Sequence, residues 1–180
     1  MEGLTKDKIQ EVLSRFNDDD IEKVNYFYRI ILDFKGTLKD LPLSMEITDI
    51  VTDTLLKKVK KDNNPYYKLI IDYYMLTALE CDSYNDLENA KKYFNKAIDF
   101  GKKFDKESKE RYYDEINCAY SWMGYYLYQD KDYKEALKYF KKVIDNYNSV
   151  KDDPNYSVTE NDSVPNSIAY IDSINSILKK

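Results

Sequence analysis

DYKEALKYF, residues 132–140, sets a single alanine, Ala136, inside a run of aromatic and charged residues. The arrangement occurs twice. NAKKYFNKAID (89–99) and EALKYFKKVID (135–145) agree at seven of eleven positions: Ala90/Ala136, Lys92/Lys138, Tyr93/Tyr139, Phe94/Phe140, Lys96/Lys142, Ile98/Ile144 and Asp99/Asp145. The copies lie 46 residues apart, and a period of about 20–50 residues marks stacked supersecondary units. In a hairpin of two helices, one face of the second must lie close to the first. Alanine lets the backbones approach, and the phenylalanine four residues later fills the next layer.

Helical periodicity extends outward from this repeat over almost the whole chain. Thr5 can cap a first helix with Ile9, Val12, Leu13 and Phe16 on one face. After Asp18-Asp19-Asp20 comes a second stripe, Ile21, Val24, Phe27, Ile31 and Phe34, which Gly36 stops. The acidic triplet lacks calcium-loop spacing and suits the positive end of a helix. Leu41-Pro42-Leu43 reads as a break, with Ser44 capping a third helix that carries Ile47, Ile50, Val51, Leu55 and Val59 and ends in lysines. Asn64-Pro65 opens a fourth helix running to about Glu80. A fifth is expected from about Asp86 to Lys103, a sixth from Lys106 to Tyr128 and a seventh from Tyr133 to Tyr147. The polar, aperiodic stretch 149–166 reads as a loop. The tail places Ile168, Ile171, Ile174 and Leu178 on one face of a last helix that folds back as a cap.

At these residues the chain resembles the tetratricopeptide repeat family. With Asn117 as position one, Tyr120, Met123, Gly124 and Leu127 fall at the pattern positions of a first helix. Tyr133 falls at the turn, and Ala136, Phe140 and Val143 in the second helix. Gly124 in mid-helix would otherwise cost about 1 kcal/mol, and close helix packing is the natural reason for it. With Ile71 as position one, the earlier copy supplies Tyr74, Thr77, Ala78, Cys81, Ala90, Phe94 and Ala97. The family's terminal proline is replaced by Lys102 and Asn148. The period exceeds the family's by about 12 residues, or about 18 Å of helix. ESKERYYDEINCAY stays helix-compatible, which predicts extended fifth and sixth helices.

The resemblance, covering about residues 71–150, implies an all-α fold of stacked antiparallel helical hairpins, a tetratricopeptide-like α-solenoid with a C-terminal capping helix. The expected organisation is N-terminal hairpins over 1–62, two repeats over 63–150, a polar loop over 151–165 and the cap over 166–180, as one structural unit. First helices of such a stack line its inner groove, which in this family generally holds a peptide or helix of a partner. The groove positions carried over are Asp72, Met75, Leu79 and Asp82 from the first copy, and Cys118, Ser121, Tyr125, Tyr128 and Gln129 from the second. Trp122 lies beside them on the face shared by 118, 122, 125 and 129. The branch of the family that grips a terminal carboxylate uses Lys, Arg and Asn there, and none is present. This surface is aromatic, apolar and slightly acidic. It suits an amphipathic helix or extended apolar segment with a basic rim, unless the chain's own helices fill it.

Composition narrows the remaining classes. The 180 residues include no histidine, the commonest general base, and no Gly-rich phosphate loop occurs. An enzyme is therefore not expected, and no cofactor or metal is implied. The net charge of −5 and the absence of a basic cluster argue against nucleic acid. MEGLTKDKIQ is no secretory signal, and no apolar run approaches the about 18 residues of a membrane span. The expectation is a soluble cytoplasmic protein with no membrane partner. Its two cysteines, Cys81 and Cys118, read as buried thiols. The 19 tyrosines fit either a genome-wide bias or a binding surface. The function expected is protein–protein interaction with a protein or peptide partner. A small antagonist or sensor that sequesters a regulator, toxin or defence protein shares this physics, as does a self-assembling scaffold, a homo-oligomer.

Overall fold

Both hairpins of the repeat turn in the same way. A computed structural model describes residues 6–15, 30–31, 39–58, 66–104, 113–152 and 162–179. Among these, the first hairpin pairs α3 (Tyr66–Ser83) with α4 (Leu87–Phe104), and the second pairs α5 (Tyr113–Gln129) with α6 (Tyr133–Val150). Asn85 and Lys131, 46 residues apart, take left-handed φ values of 59° and 62°. The two bonds that close each turn have the same partners, shifted by 46 residues. Asp86 N donates to Cys81 O at 2.9 Å and Asn85 N to Asp82 O at 2.8 Å, while Asp132 N donates to Leu127 O at 2.9 Å and Lys131 N to Tyr128 O at 3.0 Å. This nested pair satisfies the terminal carbonyls of a helix. The aspartate that ends the pattern then starts the next helix. Asp86 Oδ1 accepts from Asn89 N at 3.2 Å, and Asp132 Oδ1 accepts from Glu135 N at 3.3 Å.

The residues singled out by the repeat meet where expected. Ala78, Ala90, Phe94 and Ala97 in the first hairpin are fully buried, as are Ala136, Phe140 and Val143 in the second. A Cβ on Gly124 would lie 2.7–2.9 Å from the Phe140 ring, so glycine makes room for phenylalanine at that crossing. Each phenylalanine also stacks on an aromatic from the helix that follows its hairpin. Phe94 lies 5.9 Å from Trp122 at 11°, and Phe140 lies 4.9 Å from Tyr170 at 6°. A second motif repeats on the opposite side of the same helices. Lys96 sits over Tyr74 and Tyr93 at 5.5 and 4.8 Å, and Lys142 sits over Tyr120 and Tyr139 at 5.2 and 4.7 Å. The copies diverge in what balances the cation. Lys96 pairs with Asp49 at 2.7 Å, whereas burial and then Lys102 lower the pKa of Lys142.

The other described helices flank this pair of hairpins. α1 (Lys6–Arg15) packs on α2 (Leu41–Lys58), and α2 packs on α3. The latter contact includes a buried hydroxyl pair, Thr48 with Thr77 at 2.6 Å, and a bond from Ser44 to Glu80. Ile31 is buried in the same core. α7 (Ser163–Leu178) packs on α6 and touches α5. Every described element is a helix, and none is long and apolar enough to cross a membrane.

Several expectations are corrected. Leu41-Pro42-Leu43 is the first turn of α2 rather than a break, because proline lacks only an N–H that has no partner there. The cap is Asp40, whose side chain accepts from Leu43 N at 3.1 Å; Ser44 is buried and bonded to Glu80. α6 continues to Val150, which is 1% exposed, and α7 begins at Ser163 with Pro165 in its first turn. The stripe expected on the tail helix is also displaced. Ile174 is buried and Ile171 packs beside it, but Ile168 and Leu178 are 49% and 51% exposed. The packed face runs through Ser163, Ser167, Tyr170 and Ile174. Small serines there allow close approach, so Tyr170 reaches Phe140. The Thr5 cap, nearly all of the second helix with Gly36, the acidic triplet, Asn64-Pro65 and the stretch 105–112 of the expected extension lie outside the described residues.

Two substitutions test this packing by chemical unfolding. Lys131→Gly relieves a left-handed lysine and is expected to stabilise the fold by about 0.5–1 kcal/mol, raising Tm by about 1–4 °C. Gly124→Ala gains about 1 kcal/mol of helix propensity but drives a methyl into a ring held on its far side by Tyr170. A net loss of about 1–2 kcal/mol is expected.

Candidate functional site

A cavity of about 530 Å³ opens between the end of α3, one face of α5 and the first half of α7. Asp82 contributes from α3, Cys118, Ser121, Trp122 and Tyr125 from α5, and Asp162, Ser163, Asn166 and Tyr170 from α7 and the residue before it. The α5 set follows from helical spacing, since 118, 121, 122 and 125 share one face. Five of the ten residues expected to contact a partner thus line one hollow.

The other five divide. Asp72 is bound by Lys68 at 3.0 Å, which also bridges to Glu115 at 2.9 Å. Met75 is only 7% exposed and belongs to the core, and Leu79 is half-buried against it. Tyr128 packs on Tyr170 at 5.0 Å, and its hydroxyl lies 3.2 Å from Ser173 Oγ, so α7 already covers it. Gln129 is exposed at the end of α5, away from the cavity lining. The tail helix is the expected cap, but its wall residues, Asp162, Ser163, Asn166 and Tyr170, lie outside the ten expected contacts. The available signal was Ser163, Ser167 and Tyr170 at helical spacing, which the neighbouring isoleucines outweighed.

The walls are held by aromatic contacts. Trp122 lies flat on Phe94 and edge-on to Tyr125 at 5.8 Å and 88°. Tyr125 meets Tyr170 at 6.0 Å, closing the far side. Beneath them the Tyr126 hydroxyl donates to Asp82 Oδ1 at 2.8 Å. Burial first, and then the Asp82 carboxylate, push the Tyr126 phenol well above the ordinary tyrosine range. Burial also raises the Cys118 thiol, reinforced by Glu115 and opposed by hydrogen bonds with Ser163 and Trp122. Cys118 is therefore a protonated thiol at neutral pH, a poor nucleophile. Cys81, the other cysteine, is fully buried. Among the described residues no His, Cys, Asp and Glu cluster is placed to hold a metal ion. The hollow is lined by aromatic side chains, Trp122, Tyr125 and Tyr170, together with polar ones, Asp82, Ser121, Asp162, Ser163 and Asn166.

The buried phenols give the fold an alkaline limit. Burial, with smaller contributions from Tyr139 and Asp99, pushes Tyr120 up to about 12, and Tyr93, Tyr126 and Tyr170 are also raised. Unfolded tyrosine ionises near 10. The raised values favour the protonated folded form, so their contribution is complete below pH about 10 and lost as pH rises through about 12. Urea midpoints are expected to hold steady to pH about 10 and then fall, with tyrosinate absorbance in the native protein lagging behind the unfolded chain. No family model, curated protein or solved structure matches the chain, so the geometry of the hollow carries its functional reading.

Proposed function

We propose that the protein is a protein-binding module of tetratricopeptide-like build, in which α3, α5 and α7 line a groove for a peptide or helix of a partner. The observation that carries this reading is the hollow between α5 and α7. Its lining includes Trp122, Tyr125 and Tyr170 beside polar Asp82, Ser121, Asp162 and Asn166, an aromatic composition on which binding energy concentrates. The reading is supported by the two hairpins, whose turns, small-residue crossings and phenylalanine joints recur at one period. Such regularity is what a stacked array requires. Binding rather than catalysis fits the protonated state of Cys118. Cytoplasmic residence belongs to the same proposal.

Ser121 is the cleanest probe, because it lines the hollow without belonging to the ring contacts. Leu79 and Tyr125 both pack on their neighbours, so changing them mixes binding with stability. Ser121→Trp is expected to fill the hollow at little cost in stability. Peptides selected on the wild-type protein from a displayed library should bind this variant at least about tenfold more weakly, with helicity and Tm nearly unchanged. Selected peptides that bind both proteins equally would place recognition elsewhere.

A further inference from the structure

We infer that the hollow receives a guanidinium group, and that its occupant is an arginine side chain of the partner segment; this rests on the groove reading above. The first observation is the charge of the lining. Asp82 and Asp162 both face the hollow, and no lysine or arginine lines it among the described residues. The two carboxylates are also lightly used. Asp82 accepts one hydrogen bond, from Tyr126, leaving its second oxygen with acceptor capacity. Asp162 occupies the N-cap position of α7 without making a side-chain cap bond, and no ion pair engages it among the described residues. A carboxylate left out of the cap it could have made is available to an incoming donor.

The second observation is independent of charge. Trp122, Tyr125 and Tyr170 supply ring faces and edges around the same space. Aromatic faces attract cations through their quadrupole, and most strongly where water is thinned. Carboxylate and aromatic walls together select a flat, always-charged group that can pair in its plane and stack on its face. Guanidinium does both, whereas a lysine ammonium offers a point charge and no face. An anion would meet two carboxylates, and a purely apolar side chain would displace water from them without replacing its hydrogen bonds. The chain's net charge of −5 favours approach of a basic segment.

Trp122 is the only tryptophan in the sequence, so fluorescence excited at the red edge of tryptophan absorption, where the 19 tyrosines do not absorb, reports on this hollow. The experiment titrates the full-length protein with Nα-acetylarginine methylamide and with its neutral isostere, Nα-acetylcitrulline methylamide. The arginine probe is expected to give a saturable change, with the citrulline probe at least about tenfold weaker. Asp82→Asn with Asp162→Asn should remove most of that preference while leaving the citrulline response within about twofold. Asparagine can still accept from Tyr126, so the fold is kept. Glu88→Gln, on the exposed start of α4, controls for overall charge and should leave the preference intact. Equal binding of the two probes, an unchanged preference in the double variant, or no fluorescence response to either would overturn the inference. Failure here, with library peptides still captured through Ser121, removes the arginine and leaves the groove. An arginine preference without peptide capture removes the partner segment and leaves a site for a free guanidinium compound.

Discussion

The structure depends on a joint made twice: a phenylalanine of one helix pair lying flat on an aromatic ring of the next helix. Phe94 rests on Trp122 and Phe140 on Tyr170. Both phenylalanines are fully buried, and such burial is worth about 1.5–3 kcal/mol, with about 0.5–1.5 kcal/mol more for the ring pair. The ion pairs joining neighbouring elements, Lys91–Asp130, Lys68–Glu115 and Lys96–Asp49, are partly solvated. Each contributes about 0–1 kcal/mol. Ring packing therefore sets the spacing of the helices, and the charges follow. The second joint also carries α7, because Phe140 is pressed between Gly124 and Tyr170. A wall of the hollow thus inherits its position from a missing methyl group one helix away.

Burial in the core accounts for much of the tyrosine content. Tyr66, Tyr67, Tyr73, Tyr74, Tyr93, Tyr120 and Tyr126 are buried, and two of the tyrosine pairs hold a lysine between them. Tyrosine gives the bulk of phenylalanine with a hydroxyl that can end in a polar contact, as Tyr126 does on Asp82. Packing and recognition are not separate uses here. Tyr125 and Tyr170 touch each other, hold α7 to α5 and line the hollow.

Ala90, Ala136, Phe94, Phe140 and Gly124 were legible in the sequence because their signal is steric and local: small beside large, at fixed helical offsets. One face of α5 was legible for the same reason. The ends of elements were harder to read. Pro42 and Pro165 look like breaks in a linear reading, yet each sits where a helix tolerates its missing N–H. The face of α7 was read from isoleucine spacing, but the helix turns a serine-lined side inward, because close approach outweighs greasiness when a ring must be reached. Met75 and Tyr128 read as open surface in the sequence because offset along a helix says which face a residue occupies. It cannot say whether the chain covers that face further on.

The nested turns leave the chain little freedom of length on one side of each helix pair. Asp86 and Asp132 each close one helix and open the next, so neither turn contains a spare residue. An insertion there would cost a carbonyl its donor and a helix its cap together. Chains built on this plan can therefore lengthen or shorten only beyond the second helix of each pair, after Phe104 or Val150. Drift in repeat length is thereby steered away from the turns, leaving the register of the small-residue crossings intact.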